Sequence, residues 1–255
     1  MASDEAFDDV SSLLGGFYNS SRSATKEIGL GQVAFVPVLE LERRHRIAYA
    51  TRAEPNNHEQ ATLHIRPHDE KIDFRGKGKR LPIKALNLDE NSELVVSCAK
   101  MRPCLVLGRA QGVDSKSLPE GVQRNKALNA FVDHYLLAPM FGISSHSEPG
   151  AFGPVITARI RCLMYPNFVY MPQSGGIVKI PSVLRLDRLF VNHLAAGCDP
   201  QNLFVIPKVL AICHEQIKIL LGQEPSAEYK EAREILLDCL PAEFKENPKS
   251  GSLAM

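Results

Sequence analysis

Arg102 stands directly before Pro103 and the apolar run Cys104-Leu105-Val106-Leu107, with Lys100 two residues upstream. A guanidinium stays charged at physiological pH and grips two phosphate oxygens at once, so Arg102 suits the charge that develops on a phosphorane-like transition state. Farther along, residues 142–150 make a Gly- and Ser-rich loop that carries Ser144, Ser145 and His146. Histidine titrates near neutrality, and such a loop can approach another backbone closely. Metal-free cleavage of RNA through its own 2′-hydroxyl requires a base, an acid and cationic stabilisation of the transition state, which these residues could share. The same residues also fit a plainer description, a turn arginine in solvent and an exposed loop histidine.

A second concentration of charge lies in residues 71–80, where Lys71, Arg75, Lys77, Lys79 and Arg80 face one acid, Asp73, with Gly76 and Gly78 between them. Flexible basic loops of this kind follow a phosphate backbone, and they also keep strand edges solvated. Residues 155–163 alternate, with Arg159 and Arg161 opposite Ile160 and Cys162, which predicts a strand with one apolar and one basic face. Lys71, Arg75, Lys77, Lys79, Arg80, Lys100, Arg159 and Arg161 are therefore the candidate nucleic-acid contacts. His58, His64 and His68 do not make a zinc site: Pro67 breaks a helical His face and no cysteine pair accompanies them. No Gly-rich phosphate loop, dinucleotide fingerprint or nucleophile elbow occurs, so neither a metal nor a cofactor is expected.

The elements that must hold these groups belong to an ordinary globular chain of 255 residues, 44% hydrophobic and 23% charged, with a net charge of +1. Any electrostatic function must then come from local charge. Six scattered cysteines without a C-x-x-C pair read as reduced thiols, and the acidic start (Asp4, Glu5, Asp8, Asp9) is unlike a signal peptide. No apolar stretch reaches the ~18 residues that span a bilayer. A cytoplasmic protein that does not enter membranes is the expectation.

Along the chain, residues 4–14 have helical apolar spacing ending at Gly15-Gly16, an appended arm. Strands are expected at 31–38, 47–52 and 61–66 (a hairpin), 94–98 and 103–107 (neighbours around a basic turn, 100–102), 135–139 ending at its proline, and 181–191. The last puts Arg185, Asp187 and Arg188 at a wet face or rim. A helix is expected at 120–132, and two more at 207–221 and from Ser226 to near Pro241, before a disordered tail over 247–255.

Four of these segments occur in the order and character of the PemK/MazF toxin family. Gly31-Gln32-Val33-Ala34-Phe35-Val36 resembles its opening strand, and Arg102-Pro103-Cys104-Leu105-Val106-Leu107 resembles its second core strand. Leu137-Ala138-Pro139-Met140 is similar to its "A-P" strand, and Pro181-Ser182-Val183-Leu184-Arg185-Leu186-Asp187 to its "S-x-V-x-L-D" segment. The resemblance implies an α+β fold, a small curved β-barrel (29–222) with a C-terminal helix; the long insertion at about 45–92 departs from the family pattern, and an acidic N-terminal helical arm (1–28) and an acidic C-terminal helix and tail (223–255) flank the barrel. It implies a toxin-like, metal-independent endoribonuclease on single-stranded RNA with Arg102 catalytic; Ser144, Ser145 or His146 are the candidates to assist it. Partners would be an antitoxin-like protein and a second copy of the chain, as a homodimer. The sequence departs from the family at Phe141, where a hydroxyl is expected, so a barrel that binds nucleic acid or a protein partner without cleaving is the alternative. Residues 223–246 carry seven acids against three bases, which suits either shielding of an RNA groove or a solvated helix.

Overall fold

A computed structural model describes residues 8–19, 28–40, 45–52, 54, 61–75, 92–112, 133–143, 152–193 and 198–245. They form two compact units, one from the described parts of 1–36 and 101–255, the other from those of 37–100. In chain order the first elements are helix α1 (Val10–Leu14) and strands β1 (Tyr18–Asn19), β2 (Gln32–Leu39), β3 (Arg46–Arg52), β4 (Ala61–Pro67), β5 (Leu94–Val96), β6 (Ala99–Ala110) and β7 (His134–Gly142). Helix α2 (Pro154–Arg161), strands β8 (Phe168–Met171), β9 (Ser182–Arg185), β10 (Phe190–Asn192) and β11 (Asp199–Val205) follow. Helices α3 (Pro207–Leu220), α4 (Ala227–Cys239) and α5 (Ala242–Lys245) close the described chain.

The first unit is mixed α+β. Its eight-stranded antiparallel sheet, ordered β1-β11-β2-β6-β7-β9-β8 with β10 also on β7, curls strongly into a half-barrel. One face packs on the helices through Leu105, Leu107, Ala138, Met140 and Leu184 against Ala158, Val209, Cys213 and Leu236. The residues between them, Cys104, Val106, Leu137 and Val183, are buried as well, so the central strands are apolar on both faces. At Gly108 the β6–β7 register shifts, between the pairs Val106↔Leu137 and Gly108↔Leu136.

Local signals place the helices. Pro207 starts α3 and Gly222, at φ 74°, ends the turn after it. Ser226 caps α4 by accepting from the Tyr229 amide at 3.3 Å, and its own amide donates to Glu215 at 2.7 Å. His214 Nε2 meets the Leu107 carbonyl at 2.8 Å, tying α3 to β6. Residues 8–19 are part of this body: Val10 and Phe17 lie in the core, and Asp9 caps α1 through the Ser11 and Ser12 amides while pairing with Arg161. Among the described residues no helix is long and apolar enough to cross a membrane.

The second unit is built on a three-stranded sheet, β4-β3-β5. The hairpin of β3 and β4 forms in the register Arg46↔Pro67 to Arg52↔Ala61.

Four strand expectations are corrected, the first at residues 181–191, which are not one strand but β9, a 3-10 turn over Leu186–Arg188 and β10. Residues 155–163 are not a strand: Gly153-Pro154 initiates α2, because proline at the first position costs no helix hydrogen bond and the short alternation of apolar residues is compatible with either period. Residues 94–98 do not neighbour 103–107; β5 pairs with β3, and Lys100, Met101 and Arg102 lie within β6 rather than in a turn. Strand β7 continues through Pro139 to Gly142. Pro139 lies between the stretch of β7 paired with β10 and the stretch paired with β9, where that edge of β7 forms no ladder pairs and lacks no partner for a missing N–H. The expected helix at 120–132 and the tail at 247–255 lie outside the described residues.

Replacing Asp9 by Ala removes the cap of α1 and the buried partner of Arg161. Urea unfolding should show a loss of about 2 kcal/mol, and Arg161→Ala on that background should add less than it costs alone.

Candidate functional site

The two edges of β7 decide what surrounds Phe141. Strand β6 pairs so that Cys104 faces Pro139 and Leu105 faces Ala138, and the same register extended sets Arg102 across from Phe141. On the other edge Val183 of β9 lies opposite Phe141, and Leu184 opposite Met140. Directly opposed residues share a face of the sheet. Phe141, Val183 and Arg185 therefore lie on one face, and Phe168 of β8, opposite Arg185, joins them. Met140 and Leu184 take the other face and enter the core.

Farther along the same edge of β7, β10 pairs with Phe190 opposite Leu137. The chain between Leu184 and Phe190 is longer than the part of β7 it passes, and a three-residue 3-10 turn, Leu186–Arg188, takes up the excess. Leu186 anchors this turn by burial and by its amide, which donates to the Asn167 carbonyl at 2.9 Å. The turn carries Arg188 back towards the phenyl ring.

Three guanidinium groups consequently surround one aromatic side chain. The Cζ of Arg102 lies 4.2 Å from the Phe141 centroid, that of Arg188 5.2 Å and that of Arg185 5.8 Å. Arg185 also lies 5.1 Å from the Phe168 ring. Each such contact is worth about 0.5–1 kcal/mol when partly exposed, against mutual repulsion of the cations. Asp187 relieves part of that repulsion with a forked pair: Arg185 Nε donates to Oδ1 at 2.7 Å and Nη2 to Oδ2 at 2.5 Å. Burial works to raise the Asp187 pKa, but the hydrogen bond and charge of Arg185, with the charge of Arg188, outweigh it and hold the carboxyl below its ordinary value. Among the described residues the cluster holds three guanidiniums and the one carboxylate of Asp187. Among the described residues Arg102 has no ion-pair partner.

Such a site can hold phosphate oxygens on guanidinium N–H groups beside aromatic planes. No described side chain of the cluster is a proton carrier near neutral pH. Three of the thiols are held protonated: burial pushes Cys104 and Cys213 up to about 12 and Cys162 to about 11. Among the described residues no group of three His, Cys, Asp or Glu side chains could hold a metal ion.

The other candidate residues fall elsewhere. Ser144, Ser145 and His146 lie outside the described residues, as do Lys77, Lys79 and Arg80. Arg159 is buried in the first unit; its Nε donates to the Phe244 carbonyl at 2.7 Å and its Nη1 to the Tyr165 hydroxyl at 3.1 Å. Arg161 pairs with Asp9 and lies 5.6 Å from the Tyr170 ring. Both arginines thus bind the chain itself. Lys71, Arg75 and Lys100 are exposed in the second unit. There Lys71 and Arg75 border the buried Asp73, which accepts from Nη1 of the half-buried Arg66 at 2.8 Å and from the Asp69 amide at 2.7 Å. Arg185 and Arg188 were placed at a wet rim by sequence alternation but not linked to Arg102. The link needs the turn, and alternation alone gives those two arginines opposite faces.

No family model, no curated protein and no solved structure matches the chain.

The hydrogen bond from Arg66 is the main force that lowers Asp73 from 3.8 to about 2, although burial opposes it. A depressed folded-state pKa means that the stability from Asp73 is present above pH 3.8 and is lost as the pH falls towards about 2. NMR amide signals of residues 61–75 should therefore collapse across that acid window. In Asp73→Asn the same region should be weakened already at pH 7 and should lack this acid transition.

Proposed function

We propose that the first unit binds single-stranded RNA at the cationic cluster around Phe141, with Arg102 on a backbone phosphate. The observation that carries this reading is the gathering of three guanidiniums on one phenyl ring, with Asp187 the single carboxylate among the described residues there. Guanidinium forks match phosphate oxygens, and exposed aromatic and arginine planes accept unstacked bases, a combination that suits a flexible strand better than a duplex. The strands that build the cluster, β6, β7 and β9, coincide with three of the four segments that resemble the PemK/MazF toxin family.

Metal-independent cleavage is the second reading, and Arg102 favours it. It has no ion-pair partner among the described residues, so its fork is available to a phosphorane at low cost. Phe141 weighs on the other side, because the side chain next to Arg102 supplies neither a hydroxyl nor a proton acceptor. The geometry therefore supports binding first, with cleavage depending on a proton carrier brought by another part of the chain.

Both readings are tested with one labelled single-stranded RNA in EDTA. Wild type should bind it with an affinity that falls steeply with salt, and Arg102→Ala should weaken binding about five- to tenfold and flatten the log–log salt slope by about one. Ends bearing 2′,3′-cyclic phosphate that vanish in Arg102→Ala would establish cleavage. Equal binding by wild type and Arg102→Ala would remove Arg102 from the site.

A further inference from the structure

Resting on the RNA-binding reading above, we infer that Asp187 is a built-in stand-in for phosphate: it occupies the fork of Arg185 in the free protein and yields it to an RNA phosphodiester next to the one on Arg102. The forked geometry carries the argument. Two carboxylate oxygens accept from Nε and Nη2 of Arg185 at 2.7 and 2.5 Å, and the two non-bridging oxygens of a phosphodiester present the same pair of acceptors.

The two partners are unequally held. Arg185 lies between two rings, 5.1 Å from Phe168 and 5.8 Å from Phe141, and its side chain is only 18% exposed. Asp187 sits on the 3-10 turn with 32% of its side chain exposed. The guanidinium is thus preorganised by packing, whereas the carboxylate can rotate into solvent. A partly exposed ion pair contributes little net stability, because water compensates for its loss. Exchange of one anion for another on a guanidinium that stays in place therefore costs little.

Arg188 belongs to the same device. It shares the phenyl ring with Arg102, and two groups each within about 5 Å of one centroid are close enough to touch the same phosphodiester or successive ones. The three-residue turn that resolves the register of β7 thus delivers one cation, Arg188, and one replaceable anion, Asp187, to a site whose third arginine comes from another strand.

The inference specifies a pattern no ordinary structural ion pair gives: removing the acid should improve function. By fluorescence anisotropy with a labelled single-stranded RNA, Asp187→Asn should bind about threefold more tightly than wild type at low salt, with the gain shrinking as salt rises. Asp187→Glu, which keeps the charge, should stay near wild type. Arg185→Ala and Arg188→Ala should each weaken binding about fivefold and flatten the salt slope by about one. The Arg185 Nε–H resonance should move when RNA is added to wild type. In Asp187→Asn it should already be displaced before RNA is added. If Asp187→Asn keeps the wild-type melting profile but binds RNA no better, the stand-in role is overturned while Arg102-dependent binding stands. If wild type binds no RNA, both readings fall together.

Discussion

A strand hydrogen-bonded on both edges cannot slip by one residue without turning its whole set of side chains over, and β7 is such a strand. On one side β6 sets its register; on the other β9 and β10 hold its two ends three residues out of step with each other. That mismatch cannot be relaxed by sliding, because Met140 and Leu184 must stay in the core on one face. The excess chain is extruded as the turn Leu186–Arg188. From this constraint come the outward placement of Asp187 and Arg188 and the place of Pro139 in a central strand.

Burial explains why the site is a half-buried patch on a rigid support. Leu105, Leu107, Ala138 and Met140 are pinned against the helices, and Leu186 is buried at the foot of the turn. The arginines then need little ordering on binding, since Phe141 and Phe168 already restrict Arg102 and Arg185. Arginines that do structural duty are arranged differently. Arg159 and Arg161 have their donors taken by a backbone carbonyl, a tyrosine hydroxyl and a buried carboxylate. Position on a basic-looking stretch does not separate the two kinds; the partners of the guanidinium do.

Much of the architecture was legible locally. The strand at 31–38, the hairpin of 47–52 with 61–66 and the helices begun by Pro207 and Ser226 carry their start and stop chemistry within a few residues. The errors fell where a segment depends on a distant partner. Residues 155–163 alternate like a strand, but Gly153-Pro154 and the core contacts of Ala158 and Ile160 make them a helix. Leu94-Val95-Val96 resembles a neighbour of the next apolar run, yet its edge pairs with β3.

The sequence by itself determined that this chain combines strands with helices, that it has no global charge to attract a partner, and that Arg102 borders the apolar run Cys104-Leu105-Val106-Leu107. Those are consequences of composition and of periods of two or 3.6 residues, which are written in neighbouring positions. Only the tertiary structure decided that Arg102, Phe141, Arg185 and Arg188 meet, and that Arg159 and Arg161 turn inward. Cross-strand register and a three-residue turn set those distances, and both follow from pairing between segments far apart in the chain, where local spacing carries no information about which residue will stand opposite which.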